Sequence, residues 1–303
     1  MMQRLRQRAR HLSERTGFAM KGTRDFARLR LGGRSRLPRI AAVVVGRNDD
    51  YMPDFALRLR ATVEWNLHHL LREVILVEWN PPPERELLAS ALTRTFPQVK
   101  AYVVAPAIHA DLCRHPHLPL LEYHAKNVGL RRAAADWILA TNADVALAPD
   151  ALRTLRRGLQ RPDEVWTAQR VDIPWPEGRR QSLRLRDCTR FRRIIPYVEL
   201  GTGDFLLASR ELWQRARGYD ESLVRHRIGC DARGAGQLRA HGATLRRAGR
   251  VLHLSHPTSC TESIQPHHGD LAPLDGLPYV NPEHWGLAHY RETEIAERIW
   301  RIE

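Results

Sequence analysis

The strongest constraint in this chain is an unbroken apolar run, Ile40-Ala41-Ala42-Val43-Val44-Val45, that breaks into the polar turn Gly46-Arg47-Asn48-Asp49-Asp50. A strand with one wet face alternates apolar and polar residues, whereas a continuous β-branched run fits a strand covered on both faces, as in parallel sheets. The pattern recurs. Val74-Ile75-Leu76-Val77 ends in Glu78-Trp79-Asn80, Val99-Lys100-Ala101-Tyr102-Val103-Val104 follows, and Trp137-Ile138-Leu139-Ala140-Thr141 runs into Asn142-Ala143-Asp144. Between them, residues 55–71 place Leu59, Val63, Leu67 and Leu70 at helical spacing, and 84–94 and 123–135 also read as helices. Strands alternating with helices predict an α/β fold on a mostly parallel, doubly wound, Rossmann-like sheet.

Further along, Asp150 is placed to cap a helix that ends near Leu159, and residues 170–198 read as a long surface loop. Gly203-Asp204-Phe205-Leu206-Leu207-Ala208 reads as a strand, 231–241 as a helix, and 244–247 and 251–253 as short strands. The expected organisation is a basic extension (1–37), a main domain (38–260) and a C-terminal loop with a helix near 292–300 (261–303). The main domain divides into two halves, 38–145 and 146–260. The extension reads as a poorly ordered tail or as a surface helix on an anionic membrane, with Leu5, Leu12 and Phe18 too sparse to anchor it alone.

Composition narrows the function. With 43% hydrophobic and 27% charged residues over 303 positions, global disorder is excluded. No apolar run approaches the ~18 residues that span a bilayer. The net charge of +14 favours anionic partners, and arginine supplies nearly all of the positive charge, lysine occurring only at 21, 100 and 126. The arginines show no aromatic interleaving and no RNA-binding motif, so no specific nucleic acid is expected. Cys113, Cys188, Cys230 and Cys260 form no CxxC pair, which points away from a structural zinc or a disulfide scaffold and toward a reducing, cytoplasmic setting.

Ligands in open α/β sheets bind beyond the carboxyl ends of the strands. Those ends carry Asn48, Asp49, Asp50, Glu78, Asn80, Asn142 and Asp144. Asn and Asp are also ordinary turn residues, but three polar strand ends in one sheet predict a pocket with a metal site. No G-x-G-x-x-G follows an early strand and no P-loop is present, so a diphosphate would be held by a metal and basic side chains. Asn142 and Asp144 face one way in an extended segment, and such oxygen donors suit Mg²⁺ or Mn²⁺. Trp175 and Trp285, in polar stretches, are candidates for stacking on sugar rings or for plain packing.

Over residues 38–256 the ordered set of segments resembles GT-A-fold glycosyltransferases of the family 2 type. The set comprises the strand ends at Asn48 and Glu78, Lys126-Asn127-x-Gly129 ahead of Asn142-Ala143-Asp144 at the D-x-D position, Gly203-Asp204 with Gly218-Tyr219-Asp220-Glu221, Cys230-Asp231 at the Glu-Asp position, and His253-Leu254-Ser255-His256. Two positions depart from the pattern, Asn142 and Cys230 standing where the family has acids.

The resemblance implies an inverting, metal-dependent transferase of the hexosyltransferase type. It would move sugar from a nucleotide-diphosphate sugar to a glycan or other hydroxyl acceptor, with the basic N-terminus making peripheral contact with an anionic membrane. It assigns Asn48, Asp49, Glu78, Lys126, Asn127 and Asn142 to the donor, Asp144 with His253 and His256 to Mn²⁺ or Mg²⁺, Gly203 and Asp204 to the acceptor side, and Asp231 to the general base. One of the two histidines is expected to be structural, and Asp231 is expected to be held ionised by a helix N-terminus. The alternatives are a sugar nucleotidyltransferase, which would want a glycine-rich basic loop after the first strand, and a non-catalytic, arginine-rich binding protein on the same scaffold.

Overall fold

The computed structural model describes residues 38–49, 51–52, 54–175, 182–189, 191–197, 199–200, 203–256 and 271–303. The extension 1–37, Asp50 and His267-His268 lie outside them, as do Cys260 and residues 176–181.

The first half is built as the apolar runs predict. Strands β1 (Ile40–Gly46), β2 (Glu73–Trp79), β3 (Val99–Val104) and β4 (Trp137–Asn142) are all parallel neighbours, in the order β3-β2-β1-β4. Alternate residues of β1 serve opposite sides of the sheet. Ala41, Val43 and Val45 join one apolar core, and Ile40, Ala42 and Val44 join the other. Between the strands run α1 (Phe55–His69), α2 (Leu88–Thr95), α3 (Pro106–Leu112) and α4 (Glu122–Arg132). Helix α4 lies so close to β1 that a Cβ on Gly129 would meet Val43 Cγ1 at 2.5 Å, which explains the glycine of the Lys-Asn-x-Gly segment.

The second half is mixed. Beyond β4 the sheet continues through β8 (Phe205–Ser209), β6 (Glu164–Ile173), β9 (Thr244–Leu254) and β5 (Val145–Leu147). Strand β8 is antiparallel to β4 and β6, β9 is parallel to β6, and β5 is antiparallel to β9. A short β7 (Arg193–Ile194) pairs with β6. Helices α5 (Pro149–Gly158), α6 (Arg210–Ala216) and α7 (Cys230–Ala240) complete this half. The central sheet is thus mostly parallel, in a mixed α/β fold.

Edge strand β5 is covered by α1. Asn66 donates from Nδ2 to Val145 O and accepts from Leu147 N, both at 2.9 Å, and the Trp65 indole N–H donates to Leu147 O at 2.9 Å. A side-chain amide therefore stands in for a missing neighbouring strand.

Several expectations are corrected. Residues 292–300 are not a helix. They form a hairpin, β10 (Glu292–Ala296) and β11 (Ile299–Ile302), with β11 adding in parallel to β3. The run of Glu, Ala and Arg there favours a helix by propensity, but burial of Ile299 and Ile302 against the sheet edge outweighs it. The expected loop from residue 170 begins as strand, since β6 runs to Ile173. The two short strands near 244–253 are one strand, with a register shift opposite Thr167 and Ala168. Trp175 and Trp285 are buried at 7% and 3% exposure, so neither presents a free face for a sugar. Among the described residues no helix is long and apolar enough to cross a membrane.

Candidate active site

A cleft of about 700 Å³ opens at the carboxyl ends of β1 and β4, where the switch in strand order leaves room for a ligand. Among its lining residues are Arg47, Tyr51, Asn142, Asp144, Asp204 and Asp231, together with Gly203, His253 and His256.

The cleft's most concentrated feature comes from the edge strand β5 and its neighbour β9. The chain leaves β4 at Asn142 and enters β5 at Val145, which stands opposite His253 of β9. Leu254 N donates to Asp144 O at 3.0 Å, so the ladder fixes Asp144 and His253 side by side. The Nε2 atoms of His253 and His256 each lie 3.1 Å from Asp144 Oδ2, and donor atoms of all three residues fall within 4.8 Å of one another. Both histidines therefore reach the same carboxylate. Burial alone would push the Asp144 carboxyl up, but His253 and His256 outweigh it and hold it well below the usual carboxylate range. For His253, burial favours the neutral ring, yet Asp144 and Asp172 outweigh that and raise it to about 9.

A charged chain leads from that cluster across the cleft. Arg170 Nε donates to Asp172 Oδ1 at 2.7 Å and its Nη1 lies 3.5 Å from Asp204 Oδ2. Asn142 Nδ2 donates to Asp204 Oδ1 at 3.2 Å and Asn142 Oδ1 accepts from Lys126 Nζ at 3.1 Å. Lys126, fully buried, also donates to Gly203 O at 3.0 Å and pairs with Glu122 at 2.7 Å. Lys126 thus stands behind Asn142 and the 203–204 segment, and does not line the cleft.

Asp231 also lines the cleft, in the first turn of α7, after Gly229 at φ 82°. Of the Cys230-Asp231 pair, Cys230 is packed in the apolar core with its thiol pushed up to about 12 by burial, and Asp231 is the residue on the cleft. Burial also raises the Asp231 carboxyl, with the Ala232 N–H and the Lys126 charge pulling the other way. This corrects the expectation that the helix N-terminus would dominate: desolvation is the larger effect here.

Asn48, Asp49, Glu78 and Asn127 do not line the cleft. Glu78 accepts the N–H groups of Leu88 and Ala89 at 3.1 and 2.9 Å, capping α2, and also accepts Asn48 Nδ2 at 3.0 Å. Asp49 is bound by Arg47, whose Nε lies 3.1 Å away. Asn127 accepts Tyr219 N and donates to Tyr219 O, both at 2.8 Å, and donates to Glu221 Oε1 at 2.9 Å. A Cβ on Gly218, at φ 74°, would sit 2.2 Å from Asn127 Oδ1, so the two residues form one structural staple.

Arg170 and Asp172 were missed. They sit two apart on β6, with buried Val171 and Ile173 as their counterparts on the other face. That period-two alternation was the available signal, hidden because the segment reads as loop.

No family model matches the chain, and no curated protein matches it. Among solved structures it is similar to a mannosyltransferase from Pyrobaculum calidifontis, determined in complex with GDP-Man and Mn²⁺. The identity is 15% and the TM-score 0.47, over 80% of this chain and 66% of that one. At this distance the likeness bears on neither substrate nor chemistry.

Proposed function

We propose that the chain is a glycosyltransferase, moving a sugar from a nucleotide-diphosphate sugar to the hydroxyl of a glycan or other acceptor with inversion. The observation that carries this reading is that the Asp144–His253–His256 cluster and Asp231 line one cleft at the strand ends. The order of segments in the sequence supports it.

The donor set fits a divalent ion: one carboxylate and two imidazoles converge, and His253 Nδ1 has a carboxylate within reach on its far side. Two imidazoles suit Mn²⁺ better than Mg²⁺, which favours oxygen. Bound there, the ion would offset charge on a diphosphate leaving group. Asp231 accepts the proton of the acceptor hydroxyl at its carboxylate, and its raised affinity for protons brings it closer to the working pH. Arg170, between Asp172 and Asp204, lines the same cleft, as does Arg47, which lies over the Tyr51 ring 4.2 Å from its centroid.

A panel of nucleotide-diphosphate sugars assayed for binding and hydrolysis, with Mn²⁺ and with EDTA, tests the reading. Mn²⁺-dependent binding of one member is expected. Donor affinity that EDTA leaves unchanged overturns the metal assignment, and turnover that consumes added pyrophosphate and releases nucleoside triphosphate with sugar 1-phosphate, instead of nucleoside diphosphate, favours the nucleotidyltransferase.

A further inference from the structure

We infer that Asp172 is a positioning residue that sets the proton of His253 on Nδ1 and so turns the Nε2 lone pair toward a metal ion, a proposal that rests on reading Asp144, His253 and His256 as a divalent-cation site.

Two groups compete for one ring nitrogen. His253 Nδ1 lies 3.1 Å from Asp172 Oδ1, an acceptor, and 2.9 Å from Arg170 Nη2, a donor. A ring that binds a cation has given up one proton and is neutral, and a neutral imidazole carries one proton. With the proton on Nε2, Nδ1 accepts from Arg170 and Nε2 donates to Asp144, 3.1 Å away. That arrangement closes the site to a cation. With the proton on Nδ1, Asp172 is the group able to receive it, and Nε2 is left as a ligand beside Asp144 and His256. The same two neighbours thus favour two opposite tautomers, and the carboxylate selects the one that binds metal.

The surroundings fit that role. Asp172 is itself held by Arg170 Nε at 2.7 Å, so its oxygen is fixed in place. Its backbone is locked on both sides of β6, paired with His253 on β9 and with Arg193 on β7. His253 is buried, with a side-chain exposure of 5%, so water offers little alternative to the carboxylate. Outer-sphere carboxylates of this kind typically change metal affinity by about 10- to 100-fold when removed.

The test is direct cation binding to the full chain, without any nucleotide sugar. Mn²⁺ affinity is measured by electron paramagnetic resonance for wild type, Asp172→Ala, Asp172→Asn and Asp144→Ala, with circular dichroism confirming that each folds. Asp172→Ala is expected to weaken Mn²⁺ binding about 10- to 100-fold, and Asp172→Asn, which keeps an acceptor oxygen, to recover most of it. In wild type saturated with diamagnetic Zn²⁺, ¹⁵N spectra should show His253 protonated at Nδ1 and metal-bound at Nε2. Unchanged affinity in a folded Asp172→Ala, or a His253 bound through Nδ1, overturns the proposal while leaving the cation site standing, provided that Asp144→Ala still loses Mn²⁺. If wild type and Asp144→Ala bind Mn²⁺ alike, the cation site falls and this proposal falls with it.

Discussion

Two carboxylates lie at the carboxyl ends of β2 and β4, on either side of β1, and they do opposite things. Glu78, with Asn48 beside it, is fully enclosed and spends its oxygens on the N–H groups of α2. Asp144, with His253 and His256 beside it, faces a cleft and converges donor atoms from three residues. Both carboxylates are buried, and burial pushes both up. Backbone donors offset this only in part at Glu78, whereas two imidazoles more than reverse it at Asp144. A polar strand end is therefore not in itself a ligand site. What separates the two is whether the chain's own backbone uses up the acceptors.

The sharpest break in that comparison is Asp144→Ala. It should abolish Mn²⁺-dependent nucleotide-diphosphate binding in a chain that still folds, as titration calorimetry can show; retained binding would place the donor elsewhere. Next is Asp231→Asn, which keeps the helix start but cannot take a proton. Transfer should fall about 10²–10⁴-fold with donor affinity unchanged. In wild type the acid limb of the transfer rate should lie above the ordinary carboxylate range, because the base works only when ionised and burial raises its affinity for protons. A limb at or below that range argues against Asp231.

Glu78→Ala should do the converse of Asp144→Ala. Losing the acceptors of Leu88 N and Ala89 N costs about 2–4 kcal/mol, read from urea unfolding, while Mn²⁺ affinity stays as it was. A drop in Mn²⁺ affinity with unchanged stability would show that the two groups are not distinct. The smallest effect is expected at Trp175, whose buried indole nitrogen finds no hydrogen-bond partner among the described residues. Trp175→Phe should change stability by less than about 1.5 kcal/mol and leave donor affinity alone. A tenfold loss of donor affinity would restore the ring as a sugar platform.

The two halves of the fold were unequally legible. Strands β1 to β4 announce themselves because both faces are buried and the runs are continuous. Strand β6 hid behind Gln169, Arg170 and Asp172, three polar residues that a continuous-run criterion rejects. The three-residue β5 is too short to leave a pattern, and on its outer side it depends on Asn66 and Trp65 of α1 for hydrogen bonds. The hairpin at the C-terminus has helix-forming composition, and only the free edge of β3 decides otherwise. In the site, Asp144, His253, His256 and Asp231 were marked by their places in an ordered set of segments. That Glu78 and Asn127 turn inward is a matter of tertiary hydrogen bonding, which no local pattern carries.

Because Asp144 leads directly into β5 and His253 lies on β9, a cation held between them would act as a rivet on the last rung of the sheet. The sheet order ends at β5, whose outer side is covered by side chains and not by another strand. The pairing it makes with β9 joins segments far apart in sequence, which are slow to find one another in folding. A ligand that binds only the paired state adds RT ln(1 + [L]/Kd), about 2.7 kcal/mol at a hundredfold excess over Kd. The opening of this edge would then be set by ion concentration, and amide exchange at Val145, Leu147 and Leu254 would slow as Mn²⁺ is raised while β1 and β2 exchange as before. A cation held at that cluster would thus also decide how long the edge stays paired.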